Sequence, residues 1–452
     1  MRVEKDTLGE VEIPDHAYYG AQTQRALNNF RASGKSFPQD FINAYLLLKR
    51  ACACANNDCN KLEEVKKDLI IKACMRAEHM PDHFKVDVYQ AGAGTSFNMN
   101  VNEVVANISA EIFGKPKGDY SYIHPNDHVN MSQSSNDTFP TAAHITVVWK
   151  TDLLLKVLKD LSSAFKDKEK QFSEVSKSGR THLMDAVPVT LGNEFGAYAS
   201  VTGRCIKLLK YGRDNLLEVP LGSTAAGSGV NAPEGFREKA IGYLSELTGL
   251  SIRGAKNSFE ALQSRFGLSL LSAGLNTLAQ ELNRIANDLR LLNSGPNTGI
   301  AEIKLPPVQP GSSIMPDKVN PVMAECLNMI CFKIRGNHAA VSEASQAGQL
   351  ELNVMTPVIA HSILESLELL VNFLPDFQKL CVEGIEANRE RCRALLNLNP
   401  SLATLISPEI GYEKAAALAR ESLEKGVSVP ELAVGKGLIS EKRAKGLFKY
   451  FY

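Results

Sequence analysis

Residues 311–321 read Gly-Ser-Ser-Ile-Met-Pro-Asp-Lys-Val-Asn-Pro, which compresses two hydroxyls, an amine and an amide between a glycine and two prolines. No regular helix, strand or turn needs that composition. Gly311 permits unusual backbone angles, and Pro316 and Pro321 restrict the loop. Ser312, Ser313, Lys318 and Asn320 then supply the donors that an anion requires. Such a loop suits gripping a carboxylate and doing chemistry beside it.

Three further clusters are as polar. Residues 92–100, Gly-Ala-Gly-Thr-Ser-Phe-Asn-Met-Asn, place small residues before a run of donors. Taken alone, that stretch reads as a glycine-rich turn capping a helix. Residues 124–137 run His-Pro-Asn-Asp-His-Val-Asn-Met-Ser-Gln-Ser-Ser-Asn-Asp just before an apolar helix, with Ser135, Asn136 or Asp137 as its cap. One cap needs one side chain, and a carboxylate site at the helix N-terminus accounts for the surplus. In residues 179–188, Gly-Arg-Thr-His-Leu-Met-Asp-Ala-Val-Pro, a lone histidine is more often structural than catalytic. Thr181 beside His182 weighs the other way.

These residues need elements to hold them. Leu268, Leu271, Leu275, Leu278, Leu282, Ile285, Leu289 and Leu292 alternate spacings of three and four, the seam of a helix about 37 Å long. Packing, within the chain or between subunits, explains the leucines better than a ligand does. Further long helices are expected over about 142–174, 191–217 and 322–373, with Pro357 kinking the last. Residues 1–135 read as a mixed, mainly helical N-terminal domain, 136–390 as a central long-helix bundle, and 391–452 as a small helical domain with helical patterns at 413–425 and 440–450.

Fifty basic residues balance fifty acidic ones without long blocks, which points away from nucleic acid and membrane surfaces and toward a small-molecule partner. No uninterrupted apolar run reaches membrane-spanning length, and Met1-Arg2-Val3-Glu4-Lys5-Asp6 lacks the apolar stretch of a secretory signal, so a cytoplasmic protein is expected. The nine cysteines show no paired CxxC spacing and read as buried, reduced thiols.

Together the four clusters resemble those of the aspartase/fumarase superfamily, whose signature loop has the form GSSxMPxKxNP. The resemblance runs from Tyr19-Gly20-Ala21-Gln22-Thr23 to Asn399. It implies an all-α fold with a long central helical bundle, and a homotetramer whose active sites each combine segments of three subunits. By the same resemblance, Ser312 is the base that removes a proton beside one carboxylate, while Thr95, Ser134, Ser135 and Ser313 hold that carboxylate. Lys318 and Asn320 hold the other carboxylate. Asn136, Thr181 and His182 lie near the departing group, and Glu325 pairs with His182. The proton is scarcely acidic and its removal yields a doubly charged aci-carboxylate, so donors must stand ready, each worth about 3 to 4 kcal/mol. Serine becomes a base only where its alkoxide is stabilised, and a mobile lid is expected. No cofactor and no metal are expected.

Within the superfamily, residues 90–96, 321–325 and 348–355 lean toward aspartate ammonia-lyases, whereas residues 132–140 have the form of class II fumarate hydratases, with serine at 135. The ammonia-lyase reading is preferred, the hydratase is the alternative, and a non-catalytic structural relative is disfavoured by the intact Ser312, Lys318, Asn320, His182 and Glu325. Asp317 departs from the glycine or alanine usual at its position. It either pairs with Lys318 or faces solvent.

Overall fold

The structure is a computed structural model that describes residues 1–448. Long helices dominate, and among the described residues the strands form two-stranded pairs. The chain gathers into two compact units, one of residues 1–155, 207–277 and 332–371, the other of 156–206, 278–331 and 372–452. Each boundary between them falls inside a long helix. The consecutive segments 1–135, 136–390 and 391–452 therefore describe the chain along its sequence, and the spatial units cut across them.

In the first unit, helices Gln39–Asp58 and Thr95–Ile112 pack around a cluster of aromatic rings. Phe41 lies within 5.2 Å of Phe97 and 5.1 Å of Phe139, centroid to centroid. Rings at that spacing and tilt gain about 0.5–1.5 kcal/mol per pair beyond their buried area. The cluster anchors the starts of two helices, Thr95–Ile112 and Ser135–Gln171, that carry candidate site residues.

The seam helix runs Phe266–Leu292, and its leucines are buried within a single chain, from Leu268 at 0% exposure to Leu292 at 7%. They pack against this chain's own helices. The helix expected over 322–373 is instead two, Val322–Gln346 and Thr356–Phe377. Pro357 does not kink a helix; it sits in the first turn of the second, where its missing N–H costs nothing. The break is built around Asn353, whose amide donates to the Ala344 and Ser345 carbonyls at 3.0 Å and whose Oδ1 accepts the Met355 N–H at 2.9 Å. Buried Arg265 donates to Asn353 O and Thr356 Oγ1, so the break is rigid.

Thr356–Phe377 extends into a stretch apolar and long enough to cross a membrane, with mean hydropathy 1.3. Its Ile359, Ile363, Leu367, Leu370 and Leu374 are buried in the protein, which makes it a core helix. In the second unit, the short helices from Arg389 to Leu447 close over Leu396, Leu402, Ile406, Leu418 and Val429. The pattern expected at 440–450 forms helix Glu441–Leu447, and Lys449 and Tyr450 lie outside the described residues.

Candidate active site

The first unit brings Thr95 and Ser135 together. Each is the first residue of a helix, and their hydroxyls lie 3.0 Å apart. The turn before Thr95 depends on Gly94, whose φ is +72° and where any Cβ would collide with the Phe139 ring. Helix N-termini leave N–H groups unpaired and carry partial positive charge. Two of them, each opening with a hydroxyl, form a cradle suited to a carboxylate. Ser134, rather than Ser135, Asn136 or Asp137, caps the second helix: its Oγ accepts the Asn136 N–H at 3.2 Å, and Asp137 Oδ1 accepts the Ser134 N–H at 3.0 Å. That reciprocal pair leaves Ser135 free for Thr95. Asn136 donates its amide to the Ala225 carbonyl at 2.8 Å.

The second unit carries the signature loop and the Thr181-His182 turn. Gly311 donates its N–H to the Lys318 carbonyl at 2.8 Å, and Asn320 Nδ2 donates to the Gly311 carbonyl at 2.7 Å. A Cβ at Gly311 would stand 2.4 Å from Lys318 O, so only glycine closes this loop. Inside it, Ser312 Oγ accepts the N–H groups of Ile314 at 3.2 Å and Met315 at 3.0 Å. Ser313, Lys318 and the loop's tip are exposed. Asp317 adopts φ +60° and makes no ion pair with Lys318. Of the two readings of this residue, the one facing solvent is realised.

Thr181 ends strand Ser176–Thr181 and Met184 begins strand Met184–Thr190, so His182 and Leu183 form a two-residue hairpin tip. Both have positive φ, 54° and 60°, as such a turn demands, although neither is the glycine or asparagine that takes those angles most easily. The tip is solvent-exposed. Its base is fixed by buried Glu302, which pairs with Arg180 at 2.9 Å and Lys177 at 3.1 Å, and by Asn399, which donates to Ser178 Oγ and to the Ala186 carbonyl. Glu325 lies in the first turn of Val322–Gln346, and no hydrogen bond or ion pair joins it to His182 within one chain. The expected Glu325–His182 pair is therefore absent from the single chain, because the hairpin tip points to solvent.

Two buried charges were missed in reading the sequence for function. Lys49 is fully buried and donates to Asn98 Oδ1 at 2.9 Å, Asn130 Oδ1 at 3.1 Å and Gln133 Oε1 at 2.8 Å. Burial pushes its ammonium down to about 7. Asp137, also fully buried, accepts the N–H groups of Ser134, Gly222 and Thr224; burial pushes its carboxyl up to about 7 against the pull of those donors. A lysine inside the apolar run Tyr45-Leu46-Leu47-Leu48 was the available signal for the first. Among the described residues no His, Cys, Asp and Glu side chains converge as a metal site. All nine cysteines are free, and six are buried.

The chain matches known proteins over nearly its whole length. A family described as Lyase matches residues 9–336, and one described as Fumarase C C-terminus matches residues 402–450. An aspartate ammonia-lyase of Bacillus subtilis is 45% identical over 98% of this chain and 93% of its own length. A class II fumarate hydratase of Thermosynechococcus vestitus is also 45% identical, over 97% of this chain and 95% of its own. Among solved structures, a fumarate lyase:delta crystallin of Brucella melitensis, bound to cobalt, superposes with TM-score 0.96 at 43% identity, covering 100% of this chain and 98% of its own. A class II fumarase of Schistosoma mansoni gives TM-score 0.96 at 36% identity, with the same coverage.

Proposed function

The chain belongs to the aspartase/fumarase superfamily and is a lyase, and from that premise we propose that it is an aspartate ammonia-lyase, which converts L-aspartate reversibly to fumarate and ammonia. Ser312 takes the proton from the carbon beside one carboxylate, and the electron pair moves into that carboxylate to form the aci-carboxylate. Thr95, Ser134, Ser135 and Ser313 hold it. The C–N bond then breaks, and the protonated amine leaves with the bonding pair as neutral ammonia, near Asn136, Thr181 and His182. Lys318 and Asn320 hold the second carboxylate.

The observation that carries the proton-abstraction step of this reading is the environment of Ser312 Oγ. Two backbone N–H groups already point at it, and donors to an oxygen favour its charged form. Such an oxygen ionises more readily than a free serine hydroxyl, so the alkoxide that takes the proton is more populated. The cradle of Thr95 and Ser135 at two helix N-termini supplies the electrostatic stabilisation that the dianion needs. The segments at 90–96, 321–325 and 348–355 support the amine over the hydroxyl as leaving group. Residues 132–140, together with class II fumarate hydratases as similar as the ammonia-lyases, support L-malate as the alternative. A homotetramer in which separate copies contribute the 95–136 cluster, the hairpin tip and the signature loop would also let Glu325 meet His182 of a neighbouring copy.

Fumarate absorbance in the ultraviolet, followed after adding the protein to L-aspartate and separately to L-malate, tests this directly. Fumarate from L-aspartate, reduced about 10³-fold in Ser312→Ala, is the expected result. Fumarate from L-malate alone would overturn the ammonia-lyase reading.

A further inference from the structure

Asn136 and Asp137 are neighbours on one helix, and both hold the short loop of residues 222–225. Asp137 does so through N–H groups, since its Oδ2 accepts from Gly222 at 3.1 Å and from Thr224 at 2.8 Å. Asn136 does so through a carbonyl, that of Ala225. The loop is held in a conformation it would not choose: Gly222 has φ +86°, and Thr224, a β-branched residue, has φ +55°. The buried Ser223 and Thr224 hydroxyls have no hydrogen-bond partner, so the loop is kept in place by its backbone. No cation lies within ion-pair distance of Asp137 among the described residues. Its carboxylate is given over to the Ser134 cap and to this loop.

The loop decides which end of the Asn136 amide is available. A carbonyl only accepts, so Ala225 O engages Nδ2 and leaves Oδ1 as the end of the amide without a partner among the described residues. An ammonium group is three donors and no acceptor, and a free Oδ1 is its complement. A free Nδ2 would repel it.

We propose that Asp137 is a positioning residue, which fixes the loop of residues 222–225 so that Asn136 presents Oδ1 to the amine of the substrate. This rests on the ammonia-lyase reading above. In Asp137→Asn the role predicts a selective loss: the remaining amide oxygen keeps the Ser134 N–H, so the groups that hold carboxylates stay in place, while an NH2 group now meets the Gly222 and Thr224 N–H donors, and only amine recognition weakens.

The test uses the full-length enzyme, with initial rates in both directions and succinate as a competitive inhibitor that has both carboxylates and no amine. In Asp137→Asn, KM for ammonium in the reverse reaction and for L-aspartate in the forward reaction should rise about tenfold, the effect of one weakened hydrogen bond to a charged group, while Ki for succinate changes less than twofold. In a background of Asn136→Ala the same substitution should add little, because its effect passes through Asn136. Should Asp137→Asn fail to fold, Thr224→Gly serves in its place. Glycine keeps the positive φ but frees the loop, and KM for ammonium should rise about threefold with succinate unaffected. Ammonium KM and succinate Ki moving together, no change in either variant, or full additivity with Asn136→Ala would overturn the proposal while leaving the ammonia-lyase reading intact. A wild-type enzyme that makes fumarate only from L-malate would overturn both.

Discussion

Ser312 is where chemistry and backbone meet, since the loop that displays its hydroxyl also aims two N–H groups at it. Asp317, five residues on, tests how finely that loop is tuned. Its φ of +60° lies where glycine is free and aspartate merely tolerated, and its carboxylate stands next to the lysine expected to hold a carboxylate. Asp317→Gly should raise kcat/KM roughly threefold by removing a like charge from the substrate's path; unchanged kinetics would show that the carboxylate is a bystander. Lys49 gives a prediction about pH. Its folded value, about 7, lies below the ordinary 10.5, so the unfolded chain binds more protons between those limits and stability rises with pH across that window. The urea midpoint of the wild type should therefore gain on that of Lys49→Met between pH 7 and pH 9.5. A constant difference would mean that the three amide oxygens keep the buried ammonium charged throughout.

At the scale of elements, the seam helix was the most legible part of the chain. Spacings of three and four from Leu268 to Leu292 define one helical face whatever it packs against, and that face is buried. Leu282→Ala should cost about 2 to 5 kcal/mol in chemical denaturation; a cost under about 1 kcal/mol would mean that the seam repacks freely. The break at 347–355 was not legible, because Pro357 reads equally well as a kink or as the first turn of a helix. What decides it is Asn353, whose bonds to Ala344 and Ser345 form only once the chain has reversed. The polar clusters were legible as clusters, since no cap consumes so many side chains. Their division of labour was not: Ser134 caps while Ser135 faces Thr95, and that depends on Thr95 arriving from another helix. Lys49 shows the same limit, with acceptors from Asn98, Asn130 and Gln133 that only the tertiary fold assembles.

For the whole molecule, the signature loop and the hairpin tip end in solvent-facing groups, and in the hydroxyl cradle Thr95 is exposed while Ser135 is buried behind it. Met329 and Phe332, one turn apart on Val322–Gln346, are 62% and 57% exposed, an apolar surface of the kind that long-helix proteins cover with further copies of themselves. We propose that Ser312 of one copy works on a cradle built by Thr95 and Ser135 of another. The test is to mix subunits of two crippled variants, Ser312→Ala and Ser135→Ala. If the two parts come from different copies, random reassembly restores both intact parts in about a quarter of the sites, and L-aspartate turnover should return to about that fraction of the wild-type rate. A mixture as inactive as its components would mean that Ser312, Thr95 and Ser135 of one chain serve the same site, which contradicts the shared arrangement.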